Sequence, residues 1–261
     1  YITDLLSFKI KSRADIDRVS RIPVLGEIPR NGNDNNIAVA ENSTTPIDEA
    51  FRMARTNLLF SLGRSGKVAL FTSTEPGEGK TFVALNMAIS TALLNKKVLL
   101  VGLDLRKPAI SKYMGKQFKE GFTNYLSGFN TDINSLIMPS DIHPNLDILP
   151  SGPIPPNPAE LLSRDELDTA FSDLRDKYDY IYIDSAPAAL VTDTLIISRV
   201  TDATIYMCRV DYSNKAGLRH ANDLMEKEKL KNMMLIINDV REIHRQYGYG
   251  YGYGYGYGHG K

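Results

Sequence analysis

The sequence predicts a doubly wound α/β fold on a mostly parallel sheet, and three observations carry that expectation. Short, almost continuous apolar runs recur at 67–73, 97–103, 146–149, 180–184, 203–209 and 233–238, the pattern of strands buried on both faces. Segments of helical periodicity separate them, the alternation that gives parallel strands joined by crossover helices. A glycine-rich stretch links the first run to the next helix, and two runs finish at or beside a carboxylate, Asp104 and Asp184.

Residues 1–46 read as an N-terminal linker segment. Positions 1–30 mix six basic with four acidic side chains, too balanced for a membrane-surface patch. Positions 31–46 are polar and turn-rich, the composition of a mobile loop. The chain begins at Tyr1, as a fragment or processed product would. A folded domain is expected over 47–245. Its first helix, 47–62, carries Phe51, Ala54, Leu58 and Leu62 as an apolar stripe. Thr45 is placed to cap it, with Pro46 at the first position and Asp48 and Glu49 in the first turn. Helices follow at 81–94, near 123–127 and 158–178, and at 192–200 and 215–229.

At 261 residues the chain is long enough for a full core. Lysine plus arginine equals aspartate plus glutamate at 31 each, so no global field recruits nucleic acid. The single cysteine, Cys208, excludes a disulfide framework and reads as a small buried strand residue. No apolar run approaches the roughly 20 residues that cross a bilayer. His143, His220, His244 and His259 are scattered and suggest no metal cluster.

Positions 246–261 form a tail in which Tyr247, Tyr249, Tyr251, Tyr253, Tyr255 and Tyr257 are each followed by glycine. Glycine at every second place removes one packing face and raises backbone freedom, so the tail offers phenol hydroxyls as acceptors for modification. A strand docked on a sheet edge, a self-associating or RNA-stacking segment, or a cloning scar would carry the same pattern.

The stretch from Ser73 to Thr81 ends in Gly79-Lys80-Thr81 and sits between a strand and a helix, the context of a phosphate loop. The amides of Glu75, Pro76-Gly77, Glu78, Gly79, Lys80, Thr81 and Phe82 would surround a nucleotide phosphate at the positive end of the helix; proline contributes no amide of its own. Lys80 is expected to reach the outer phosphates, and Thr81, with Asp104 and Asp184, to hold Mg²⁺. Arg106 follows Asp104 closely and joins Lys80, Asp104 and Asp184 as a catalytic candidate. The first glycine of the usual pattern is Thr74 here.

These motifs together resemble the cytoplasmic domain of the bacterial tyrosine kinases, the BY-kinases of the polysaccharide co-polymerase family. Positions 23–29 resemble the segment after the family's second membrane helix, which makes 1–46 juxtamembrane. Glu49, Arg52 and Arg55 match its self-association helix. Positions 73–81 match its Walker A loop, Asp104 and Arg106 its Walker A′, and 184–187 its Walker B, within a P-loop NTPase-like fold of deviant Walker type. Positions 151–162 and the tyrosine tail also match. The family's Walker A′ usually has two aspartates, and Gly102 stands where the first belongs. Glu75 occupies the place of the signature lysine of related partition and division-site ATPases, which argues against that class.

The resemblance implies an ATP- and Mg²⁺-dependent autokinase that phosphorylates its tail between subunits of a ring, with Asp104 as candidate base. It also implies membrane attachment on the cytoplasmic side of the inner membrane, a cognate tyrosine phosphatase, and a role in capsule or exopolysaccharide synthesis and export. An ATPase switch that never touches tyrosine, or a weakened scaffold with a binding tail, would fit the same residues.

Overall fold

The computed structural model describes residues 8–32 and 35–241. Among these residues eight strands form one sheet in the order β1-β8-β7-β2-β6-β3-β5-β4. They are β1 (Val24–Pro29), β2 (Val68–Ser73), β3 (Val98–Gly102), β4 (Met138–Pro139), β5 (Leu146–Leu149), β6 (Tyr180–Asp184), β7 (Ala203–Arg209) and β8 (Met233–Val240). Every pairing is parallel except that of β4 with β5. The central strands β2 and β3 are buried at every residue, as their unbroken apolar runs require.

Alternate residues of each strand feed two cores, one on each face of the sheet. Val68 and Leu70 of β2 join Leu99, Val101, Ile181 and Ile183 on one face, while Ala69 and Phe71 join Leu100 and Tyr182 on the other. The first face is covered by α7 (Asp165–Lys177) and α9 (Lys215–Glu226). The second is covered by α2 (Pro46–Leu62) and α3 (Lys80–Ala92). The α2 stripe of Phe51, Ala54, Leu58 and Leu62 is buried, and Thr45 caps the helix.

Two expectations need correction. Residues 1–46 are not simply a linker: α1 (Arg13–Val19) packs near α9, and β1 is an edge strand beside β8. Gly26 lets α2 approach β1, since a Cβ there would stand 3.1 Å from the Ala54 Cβ. The described part of 31–46 is pinned to α3 by Asn86, whose Oδ1 accepts from the amides of Ala38 and Val39 at 2.7 and 3.2 Å. Asp48, fully buried, accepts from the Ala40 amide at 3.1 Å and from the hydroxyls of Ser43 and Thr45. These anchors are invisible to local pattern because Asn86 lies far along the chain.

The expected helix over 158–178 is two helices, α6 (Pro158–Leu162) and α7. Arg164 is extended between them, and Asp165, Glu166 and Asp168 open the second helix as acids suited to its positive end. The remaining helices are α4 (Ile110–Met114), α5 (Phe122–Leu126) and α8 (Asp193–Ile197), with 3-10 turns at Ile133–Leu136 and Ser198–Val200. Cys208 is buried and free, its thiol pushed up to about 12 by burial. Among the described residues no helix is long and apolar enough to cross a membrane.

Candidate active site

The loop between β2 and α3 curls because Gly77 and Gly79 take φ of +85° and +101°, a region open to glycine at little cost. At Gly79 a side chain is also excluded, since its Cβ would fall 2.0 Å from Asn238 Nδ2. Thr74, where the usual pattern has glycine, packs towards α9 and hydrogen-bonds the Tyr206 hydroxyl at 3.1 Å. The room it needs comes from across the fold: a Cβ on Gly217 would lie 2.6 Å from Thr74 Cγ2.

Beyond the loop, Lys80 and Thr81 open α3 and are almost fully buried. Thr81 Oγ1 donates to Asp184 Oδ2 at 2.7 Å, while Asp184 Oδ1 is buried without a partner. Burial pushes the Asp184 carboxyl up to about 7, with Lys80 and Thr81 opposing the shift and Asp104 adding to it. The amides of Leu103 and Asp104 donate to the Asp184 carbonyl at 2.8 and 3.1 Å, which ties the ends of β3 and β6 together. Asp104 Oδ1 accepts from the amides of Arg106 and Lys107 at 3.3 and 2.9 Å, and burial raises its pKa. The structure thus brings Lys80, Thr81, Asp104 and Asp184 together.

Among the described residues no three His, Cys, Asp or Glu side chains group tightly enough to hold a metal by themselves. Thr81, Asp184 and Asp104 instead offer a partial oxygen shell. The unpartnered Asp184 oxygen fits a magnesium ion that keeps waters and phosphate oxygens as its other ligands.

Arg106 is fixed by a bidentate pair with the fully buried Asp193, at 2.8 and 2.9 Å. It lines a 360 Å³ cavity with Lys80, Thr81, Asp104, Pro187 and Leu190. A second cavity of 460 Å³ opens on the other side of the loop, lined by Phe82, Arg209, Asn238 and Arg30 among others. Tyr113 lines both cavities. Two loop acids face inward rather than towards a ligand. Glu75 Oε1 accepts from Asn214 Nδ2 at 2.9 Å, and Glu78 is 1% exposed with its pKa raised by burial.

Asp193, Arg209, Asn238, Tyr212 and Ser213 were not among the candidates. Arg209 and Asn238 carried a usable signal, since each is a polar residue ending an apolar run, as Asp184 is. On α2, Glu49 pairs with Arg52 at 2.7 Å, and Arg52 also reaches the Ser43 carbonyl. Arg55 is half-buried and donates to the Ser90 carbonyl of α3 at 2.7 Å. Tyr247, Tyr249, Tyr251, Tyr253, Tyr255 and Tyr257 lie outside the described residues.

Residues 66–237 match a family described as AAA domain. Over 202 residues the chain is 34% identical to the tyrosine-protein kinase CpsD of Streptococcus agalactiae, covering 77% of this chain and 86% of that one. It is also 34% identical to the tyrosine-protein kinase YwqD of Bacillus subtilis, with coverage of 77% and 84%. A 27% match to the tyrosine-protein kinase ptk of Acinetobacter johnsonii spans 94% of this chain but 35% of that protein. Of solved structures, the chimerical protein CapA2B2 matches with a TM-score of 0.81 at 29% identity, over 88% of this chain and 100% of that one. The kinase domain of Escherichia coli ETK matches with a TM-score of 0.77 at 26% identity, over 90% and 95%. The Pyrococcus horikoshii septum site-determining protein MinD, at 23% identity and a TM-score of 0.56, shares the fold. A phosphate loop beside the buried strand-end carboxylate of Asp184 and the half-buried Asp104, in a chain this similar to CpsD and YwqD, establishes that the protein belongs to the bacterial tyrosine-protein kinase family, on a P-loop NTPase fold.

Proposed function

We propose that the chain is an ATP-dependent tyrosine autokinase that phosphorylates its own C-terminal tyrosines between subunits and so regulates capsule or exopolysaccharide synthesis and export. The observation that carries this is the buried Lys80–Thr81–Asp184 group beside Asp104, facing a cavity with an apolar wall at Pro187 and Leu190. The nucleoside would lie in the cavity beside Phe82 and Asn238, and the phosphates along the loop towards Lys80. Bound Mg²⁺, held by Thr81 and Asp184 with Asp104 near, would neutralise charge on the phosphate oxygens.

The phenol oxygen bonds to the γ-phosphorus as the bond from that phosphorus to the β,γ-bridging oxygen breaks, and ADP carries away the electron pair. The phenolic proton passes to the Asp104 carboxylate. A phenol titrates near pH 10, so the raised pKa of Asp104 makes it a better acceptor than an exposed acid. Lys80 and the loop amides stabilise charge where it develops.

Glu49, Arg52 and Arg55 are proposed to set a ring in which each tail enters the neighbouring site. Met53 and Phe60, 64% and 90% exposed, fall on the same face of α2 as Glu49 and support a subunit contact along that face. Each phosphotyrosine adds about −1.5 to −2 charges, so a modified tail would repel its neighbours and favour dissociation. Membrane attachment, a tyrosine phosphatase and the polymer-export machinery complete the proposed setting.

Mass spectrometry of the tail after MgATP treatment tests the activity. Phosphate on Tyr247–Tyr257 that vanishes in Lys80→Met is the expected result; an unmodified tail in the parent protein overturns it. Light scattering before and after ATP reads the assembly change, and an unchanged mass counts against the switch.

A further inference from the structure

The phosphate loop is gripped along its length by the turn that joins β7 to α9. Tyr212 OH donates to the Pro76 carbonyl at 2.8 Å, and Arg209 Nη1 donates to the Gly77 carbonyl at 2.9 Å. From β8, Asn238 Nδ2 donates to the Glu78 carbonyl at 3.0 Å. Three successive loop carbonyls are therefore drawn to one side. In a trans peptide the carbonyl of one residue and the amide of the next point in opposite directions. Fixing the carbonyls of Pro76, Gly77 and Glu78 thus aims the amides of Gly77, Glu78 and Gly79 the other way, as an anion nest requires.

A buried brace supports the same curl. Glu78 Oε2 accepts from the Glu75 amide at 2.8 Å, and its other oxygen accepts from the Ser213 hydroxyl. That hydroxyl accepts in turn from the Arg209 amide at 2.7 Å. Arg209 is itself fixed by Asp239 at 3.0 Å and lies over the Tyr212 ring, 5.3 Å from its centroid.

We propose that Tyr212, Arg209 and Asn238 are positioning residues that hold the phosphate loop in its anion-receptive form before nucleotide arrives, with Glu78 as the internal brace. The proposal rests on the nucleotide-binding reading of the site. None of the three hydrogen bonds needs a ligand to form, and each fixes one peptide plane. The protein therefore meets the phosphates with its amides already aimed, and the entropy of ordering the loop is not charged against binding.

The test is titration calorimetry of the purified protein with MgATP and, separately, with inorganic pyrophosphate. Pyrophosphate lacks the nucleoside, which matters because Arg209 and Asn238 also line the nucleoside cavity. Tyr212→Phe removes one hydroxyl from a side chain that is 41% exposed, so the fold tolerates it. Loss of one hydrogen bond predicts an affinity about fivefold lower for both ligands. Arg209→Met should lose at least as much and Arg209→Lys should recover part of it, while in Tyr212→Phe, which lines neither cavity, kcat at saturating ATP should stay within about twofold. Unchanged pyrophosphate affinity in Tyr212→Phe and Arg209→Met overturns the proposal, whether or not ATP binding falls. If the parent protein binds neither ligand, the nucleotide reading itself is wrong, a different failure.

Discussion

Replacing Gly102 with aspartate is expected to weaken the fold without raising activity, although the Walker A′ pattern that the sequence resembles would have a carboxylate there. Gly102 ends β3 opposite Asp184. A Cβ at this position would stand 2.7 Å from the Ser151 hydroxyl oxygen, 3.2 Å from the Ile110 Cδ1 and 3.2 Å from the Ser151 backbone nitrogen. Ser151 is itself buried, and its backbone cannot swing aside as a flexible side-chain tip could. Overpacking of this kind costs about 1–3 kcal/mol. The new carboxylate would also crowd Asp104 and Asp184, whose pKa values burial already raises. At about 2–4 °C per kcal/mol for a domain this size, Tm should fall by roughly 2–12 °C. Thermal and urea unfolding measure the loss, and tail phosphorylation measures activity. Adding Ser151→Gly should restore at least half of the lost stability by opening the space. A Gly102→Asp protein as stable as the parent and faster at phosphorylation would refute the steric reasoning.

Four further outcomes follow from the same geometry. Asp104→Asn should lower tail phosphorylation by about 10²–10⁴-fold while ATP affinity stays within about threefold, if Asp104 takes the phenolic proton; kinetics and calorimetry separate the two. Arg106→Ala leaves the fully buried Asp193 without its bidentate partner. Because the arginine is partly exposed, the cost should be about 1–3 kcal/mol in denaturant unfolding, and Arg106→Ala with Asp193→Ala should cost less than Arg106→Ala alone. Gly217→Val drives a side chain into Thr74 and should raise the Kd for ATP about tenfold or more by distorting the loop. The folded pKa of Asp184, about 7, lies above its unfolded value near 4, so the folded state binds the extra proton between them. Its stabilising contribution is complete below pH 4 and lost as pH rises through 7. In nucleotide-free protein, Asp184→Asn should therefore flatten the decline of Tm from pH 5 to 8, and an unchanged slope would count against a buried carboxylate with one oxygen unpartnered.

The sequence alone determined six of the eight described strands and the loop, because both are local. An unbroken apolar run reports burial on two faces wherever it sits, and β5, β6 and β7 matched their expected bounds. Gly79-Lys80-Thr81 announces its curl through residues that are neighbours in the chain. Tertiary structure alone decided what depends on distant partners. It turned part of the expected linker into β1, whose Gly26, Glu27 and Pro29 hide its strand character until β8 supplies hydrogen bonds. Thr74 stands where glycine was expected because Gly217 yields the space, and Gly102 is bare because Ser151 fills it. Arg106 pairs with Asp193, and Glu78 turns inward to Ser213. Side-chain direction is set by whichever groups the fold brings within a few ångströms, and spacing along the chain does not encode that proximity.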